Sequence, residues 1–163
     1  MKRLIRVLLL IAGIVTVLLL IGAFLPGTAS VARSTTIKAP PSAVYGVIND
    51  LKTYAAWMPW NQKDSAMVTE FSSLTSGKGA SYSWKSEHPQ VGNGKMTIIE
   101  SIPDSIVTTS IEFGGFDRAS TAGWTLENVG GNTKITWNMS SDLSHNPVNR
   151  WFGFFFDQMI GPD

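Results

Sequence analysis

Few side chains in this sequence stand where they could do chemistry, and Glu100 heads them. Strict alternation from Met96 through Ile98 carries Glu100 onto the same side of an extended segment. A carboxyl group on an apolar face is desolvated, which raises its pKa and suits it to donate a proton or anchor a polar group. The favoured reading instead leaves Glu100 at a strand end in water, because Glu is seldom fully buried. Glu112 points outward by the same alternation. Asp117 and Arg118 flank a turn, and Arg150 sits in the first turn of the last helical segment, at the surface or against an acidic head group.

Other chemistries find less support. His88 and His145 lie in separate loops, beside Pro89 and Asn146-Pro147, with no His, Asp or Glu at metal-ligand spacing. No metal and no cofactor is expected. An imidazole acting as general acid or base needs a partner that the spacing does not supply. No serine stands in Gly-x-Ser-x-Gly, and Gly77 and Gly79 precede a strand, which makes them turn residues and not a phosphate loop. Asn138-Met-Ser140 matches a glycosylation sequon but falls inside a predicted strand. The absence of cysteine excludes disulfides, thiolate metal sites and a thiol nucleophile.

Charge narrows the partners. The chain has 13 basic and 12 acidic residues; setting aside Lys2, Arg3 and Arg6 leaves 10 basic against 12 acidic. No Lys/Arg cluster follows Arg6, so the basic face of a nucleic-acid binder is missing.

The elements that would position any site begin with Val7 to Leu25, an uncharged apolar run. At about 1.5 Å rise per residue it spans roughly 28 Å, the thickness of a bilayer's hydrocarbon core. A cleaved signal peptide is the alternative, with Ser30-Val-Ala32 as its cleavage site, but signal cores are shorter, about 7–15 residues. The expected organisation is therefore a basic flank at 1–6, a transmembrane anchor at 7–25, a linker at 26–32 and one domain at 33–163. The basic flank keeps the N-terminus in the cytoplasm and puts the domain outside, in the periplasm or at the cell surface.

Within the domain, a strand over Val31–Lys38 stops at Pro40-Pro41, and a short helix follows to Asn49. A second helical turn covers Thr53–Trp57 with Thr53 as its cap, and Pro59 ends it. From Met67 the pattern becomes short strands, at 67–71, 80–85, 94–101, 105–113, 118–127 and 133–140, separated by tight turn residues. Such connections imply an antiparallel meander with one apolar face. The final stretch from Asn146 carries Phe152, Phe155, Phe156, Met159 and Ile160 at the spacing of one helical face, with Asn146 as cap. The fold class is α+β: a curved sheet of about seven strands, two short helices after the first strand, and a C-terminal helix.

That order resembles the START-like, helix-grip fold of the SRPBCC superfamily, and most of all its polyketide cyclase/dehydrase and lipid-transport family. The likeness runs through Arg33–Tyr45, Trp57-Met-Pro-Trp60, Gly77–Trp84, Gly92–Ile98 and Asn132–Trp137. It implies a hydrophobic cavity between sheet and long C-terminal helix, and no catalytic motif transfers residue by residue. The family's last helix continues past a Gly-Pro-Asp-like step, so the helix here is expected to be incomplete. Any single aromatic is more simply core, but as a set a cavity lining is expected of Trp57, Trp60, Tyr82, Trp84, Met96, Ile98, Phe113, Trp124, Trp137, Phe152, Phe155 and Met159. The expected function is a membrane-anchored binding module for an apolar small molecule, lipid or polyketide-like. A cyclase or dehydratase using Glu100, and a ligand-sensing or interaction domain, are the alternatives.

Overall fold

The structure, a computed structural model, describes residues 2–115, 118–143 and 145–161, with the side chain of Trp60 also outside the described set. Asp117, assigned to a turn above, falls outside it too. The chain divides into two compact units. One holds the residues up to Ser30 and those from Ser141 on; the other is Val31–Ser140.

In the first unit, α1 (Lys2–Phe24) is a single 23-residue helix. Its Leu, Ile and Val side chains are exposed all round, and Gly22 is its one buried residue. A helix apolar on every side has no face suited to water. The final stretch folds as α5 (Pro147–Phe152) and α6 (Phe156–Ile160). Asn146 caps α5 as expected, its side-chain oxygen accepting the Val148 N–H at 2.9 Å. The single helix expected there is broken. From Gly153 to Phe156 the amides bond three residues back instead of four, which tightens the chain and interrupts the stripe. Gly153 is pressed close to Leu143, where a Cβ would lie 2.8 Å from the leucine methyl. Phe152, Phe155 and Met159 are exposed, whereas Phe156 and Ile160 are half-buried.

In the larger unit, strands β2 (Val68–Phe71), β3 (Ser81–Lys85), β4 (Gly94–Ile102), β5 (Ile106–Phe113), β6 (Ser120–Val129) and β7 (Asn132–Asp142) form an antiparallel meander. With β1 (Thr28–Ile37) beside β7, the seven-stranded order is β1-β7-β6-β5-β4-β3-β2. Gly130 and Gly131, both at positive φ, make the two-residue turn between β6 and β7, the backbone that matches the strands' twist. One face collects the apolar side chains in rows. Tyr82, Met96 and Ile111 lie side by side, then Ile98, Thr109, Ala122 and Met139, then Val107, Trp124 and Trp137.

A β-bulge in β4 shifts the phase of alternation. Ile98 opposes Thr109 and Glu100 opposes Thr108, leaving Ile99 as the extra residue. Glu100 therefore turns to the outer face, where it is exposed and accepts a hydrogen bond from the Thr108 hydroxyl at 3.2 Å. Ser101 takes the inward position opposite the buried Val107.

The helices after β1 cover this inner face. α2 (Pro41–Asn49) buries Val44 and Ile48, with Pro41 in its first turn. α3 (Leu51–Trp57) buries Leu51 and Tyr54. Its cap is Asp50 and not Thr53: Asp50 has extended backbone, and one carboxylate oxygen accepts the amides of Lys52 at 2.9 Å and Thr53 at 3.0 Å. Met58, extended as a residue before proline tends to be, ends α3, and Pro59 opens the short α4 (Pro59–Gln62).

Candidate functional site

The inner face of the larger unit holds two runs of aromatic rings. In the first, Tyr54 meets Trp57 edge-on at 4.9 Å, Trp57 lies 6.1 Å from Trp124, and Trp124 lies 6.3 Å from Trp137. In the second, Phe71 lies 5.6 Å from Tyr82, Tyr82 5.7 Å from Trp84, and Trp84 6.1 Å from Phe113. These separations fall in the range in which aromatic pairs attract beyond simple burial. The strands supply Tyr82, Trp84, Phe113, Trp124 and Trp137 by alternation, while α3 lowers Tyr54 and Trp57 onto them. Gly94 makes room for Trp84, whose indole occupies the space a Cβ there would need.

The face is not wholly closed. Tyr54, Tyr82, Trp84, Met96 and Ile98 are buried, but Phe113, Trp124 and Trp137 are half-buried and Trp57 is 37% exposed. Ring surface thus remains available on the Trp57–Trp124–Trp137 run.

Two phenols add polar atoms to the face, beside the hydroxyls of Ser101 and Thr109. The Trp124 indole lies close enough to the Tyr54 hydroxyl to favour its ionised form, against the larger effect of burial. The Asn61 side chain lies beside the Tyr82 hydroxyl, and its amide donates to the Ala55 carbonyl at 2.8 Å, tying α4 to α3. Burial pushes the Tyr82 phenol up to about 12. Burial, with the neighbouring Tyr82 adding to it, pushes Tyr54 higher still. Both hydroxyls stay protonated at neutral pH, able to orient a polar group and unable to act as bases.

Of the residues expected to line a cavity, Tyr82, Trp84, Met96, Ile98, Phe113, Trp124 and Trp137 share this face, and Trp57 joins them from α3. The Trp60 side chain lies outside the described residues. Phe152, Phe155 and Met159 belong to the other unit. Tyr54, Asn61 and Phe71 were missing from that set. Tyr54 stands three residues before Trp57, a spacing that shares a helical face and could have found it. Asn61 carries no comparable signal.

Two other features lie outside the helix-covered part of the face, the second of them bordering Phe113. Ser86 donates to Asp64 at 2.6 Å and accepts the His88 amide at 3.0 Å, while His88 Nδ1 accepts the Gln90 amide. The Ser86 hydroxyl, then the Ala66 amide, hold the half-buried Asp64 carboxyl below its usual range. The cluster pins a loop. An open hollow of about 630 Å³ lies at the end of β4 and β5 remote from the turn that joins them, between Asn93, Lys95, Glu112, Phe113 and Arg118.

A seven-stranded antiparallel sheet, with helices between its first and second strands and after its last, defines an α+β protein of the START-like, helix-grip class. The sequence model of the family described as polyketide cyclase/dehydrase and lipid transport matches residues 28–162, and the chain belongs to that family, within the SRPBCC superfamily. Solved structures share the fold. Protein CV1439 from Chromobacterium violaceum is 15% identical with a TM-score of 0.53, over 82% of this chain and 95% of its own. An uncharacterised protein from Rhizobium leguminosarum is 14% identical with a TM-score of 0.52, over 83% and 96%. CalU16 from Micromonospora echinospora is 16% identical with a TM-score of 0.50, over 82% and 74%. No curated protein matches the chain.

Proposed function

We propose that the protein is a membrane-anchored binding module for a hydrophobic small molecule, lipid or polyketide-like, held against the aromatic face of the sheet. The observation that carries this reading is the partly exposed run Trp57–Trp124–Trp137, beside the buried phenols of Tyr54 and Tyr82. Binding comes mainly from covering apolar area, about 25 cal/mol per Å², and one hydroxyl orients the ligand. Membership in a family that includes lipid transport supports an apolar ligand.

Anchoring is supported by α1, long enough to cross a bilayer, with its apolar side chains exposed on every side. Lys2, Arg3 and Arg6 favour a cytoplasmic N-terminus and an extracytoplasmic domain. An anchor of this kind holds the binding face near the bilayer, where apolar ligands partition.

Native mass spectrometry of the full chain released from nanodiscs tests the reading. The expected result is a reproducible adduct, lost on organic extraction and lost in Trp124→Ala. A clean apo mass from several expression hosts would overturn it.

A further inference from the structure

From the way α5 is fastened to α1, we infer that the C-terminal segment is a second membrane contact, lying in the interface of the leaflet on the domain side with its aromatic side chains among the lipid chains. The inference rests on the membrane-spanning reading of α1. Within their common unit, the Trp151 indole N–H donates to the Leu18 carbonyl at 3.0 Å. The Arg150 guanidinium donates to the carbonyls of Ala23 at 2.6 Å and Leu25 at 3.1 Å. Gly22 permits this approach, since a Cβ there would lie 2.5 Å from the Pro147 carbonyl oxygen. α5 is therefore fixed along the last two turns of α1.

That fastening sets a depth. Leu18 and Leu25 are separated by about 10 Å along a helix axis at ~1.5 Å per residue. With Leu25 at the hydrocarbon boundary, the Trp151 N–H meets the Leu18 carbonyl about 10 Å below that boundary, the deep end of the roughly 5–10 Å to which an interfacial helix sinks its apolar face. Arg150, nearer the end of α1, satisfies carbonyls that a helix C-terminus leaves open, and its charge lies toward the head groups. Phe152, Phe154, Phe155 and Met159 are each more than half exposed, and Phe24 at the end of α1 is 88% exposed. A bilayer that surrounds α1 covers these side chains as well. From Asn146 to Ile160 the charged residues are Arg150 and Asp157, so the contact is apolar and does not require anionic lipid.

The chain has no cysteine, so single-cysteine variants of the full protein report one site each. Phe155→Cys, Met159→Cys, Leu10→Cys in α1 and Lys85→Cys in β3 are labelled with an environment-sensitive fluorophore and reconstituted in phosphatidylcholine vesicles. Quenching by lipids spin-labelled near the head group or deep in the chain is then read. All four positions are exposed, so the label displaces no packing. The expected result is deep quenching at position 10, and shallow quenching at positions 155 and 159 at least about 2-fold above that at 85. Quenching at 10 without quenching at 155 and 159 overturns this inference and leaves the span intact. No quenching at 10 removes the span and the inference with it. Quenching at 155 and 159 that appears only on adding phosphatidylglycerol overturns apolar insertion in favour of electrostatic adsorption.

Discussion

The Ser101 hydroxyl donates to the Asn49 side-chain oxygen at 2.7 Å and lies 2.6 Å from the Tyr45 hydroxyl, joining the inner face of β4 to two residues of α2. It reaches them because the bulge before it turns Glu100 outward. A hydrogen bond of this kind contributes about 1 kcal/mol net. Tyr45→Phe should lower stability by about that amount, Ser101→Ala, which removes both bonds, by about twice as much, and the double variant by less than the sum, since the Tyr45–Ser101 bond is lost in either single variant. Chemical denaturation of the four proteins in one detergent checks this.

Gly94→Ala should cost more, about 1–3 kcal/mol, because the new methyl enters the space of the Trp84 indole and the Glu112 carbonyl and no small rotation frees both. A lowered midpoint, together with altered tryptophan emission, is the expected outcome. An unchanged midpoint would mean that the ring does not lie where the structure has it.

The buried phenols make stability fall in alkali. Tyr82 titrates near 12 when folded against about 10 when unfolded, so the folded state keeps a proton that the unfolded chain has lost. Stability from this group is complete below about pH 10 and falls as pH rises toward 12. Tyr54 adds a loss of the same sign. Tyr82→Phe should flatten the decline over that window, measured as the denaturation midpoint against pH.

Gly22→Ala tests the joint between α1 and α5 while leaving the apolar length of α1 intact. The added Cβ meets the Pro147 carbonyl oxygen at 2.5 Å, so α5 must move away. Lipid quenching of a label at position 155 should drop roughly 2-fold while a label at position 10 keeps its own, as expected where a glycine sets close helix approach.

The strands, their order in a meander and the membership of the apolar face were legible because period-2 alternation and tight turns are local signals. Tyr82, Trp84, Trp124 and Trp137 could be placed together from spacing, and the helix at Pro41 from its proline. Asp50 and Thr53 illustrate the limit of that method: both are capping residues, and the choice fell to Asp50, whose extended backbone and carboxylate meet two free amides.

By itself the sequence determined that α1 is an apolar helix of membrane-spanning length and that an antiparallel α+β sheet with an aromatic face follows it, since both follow from residue type and period. Only the tertiary structure decided what happens where the period breaks. One extra residue in β4 exchanged Glu100 for Ser101 on the inner face, because a bulge reverses every side chain beyond it. Gly153 and the tightened turns after it split the last helix, and Gly22 let α5 settle on α1. Those outcomes depend on contacts between residues far apart in the chain, and no local pattern carries them.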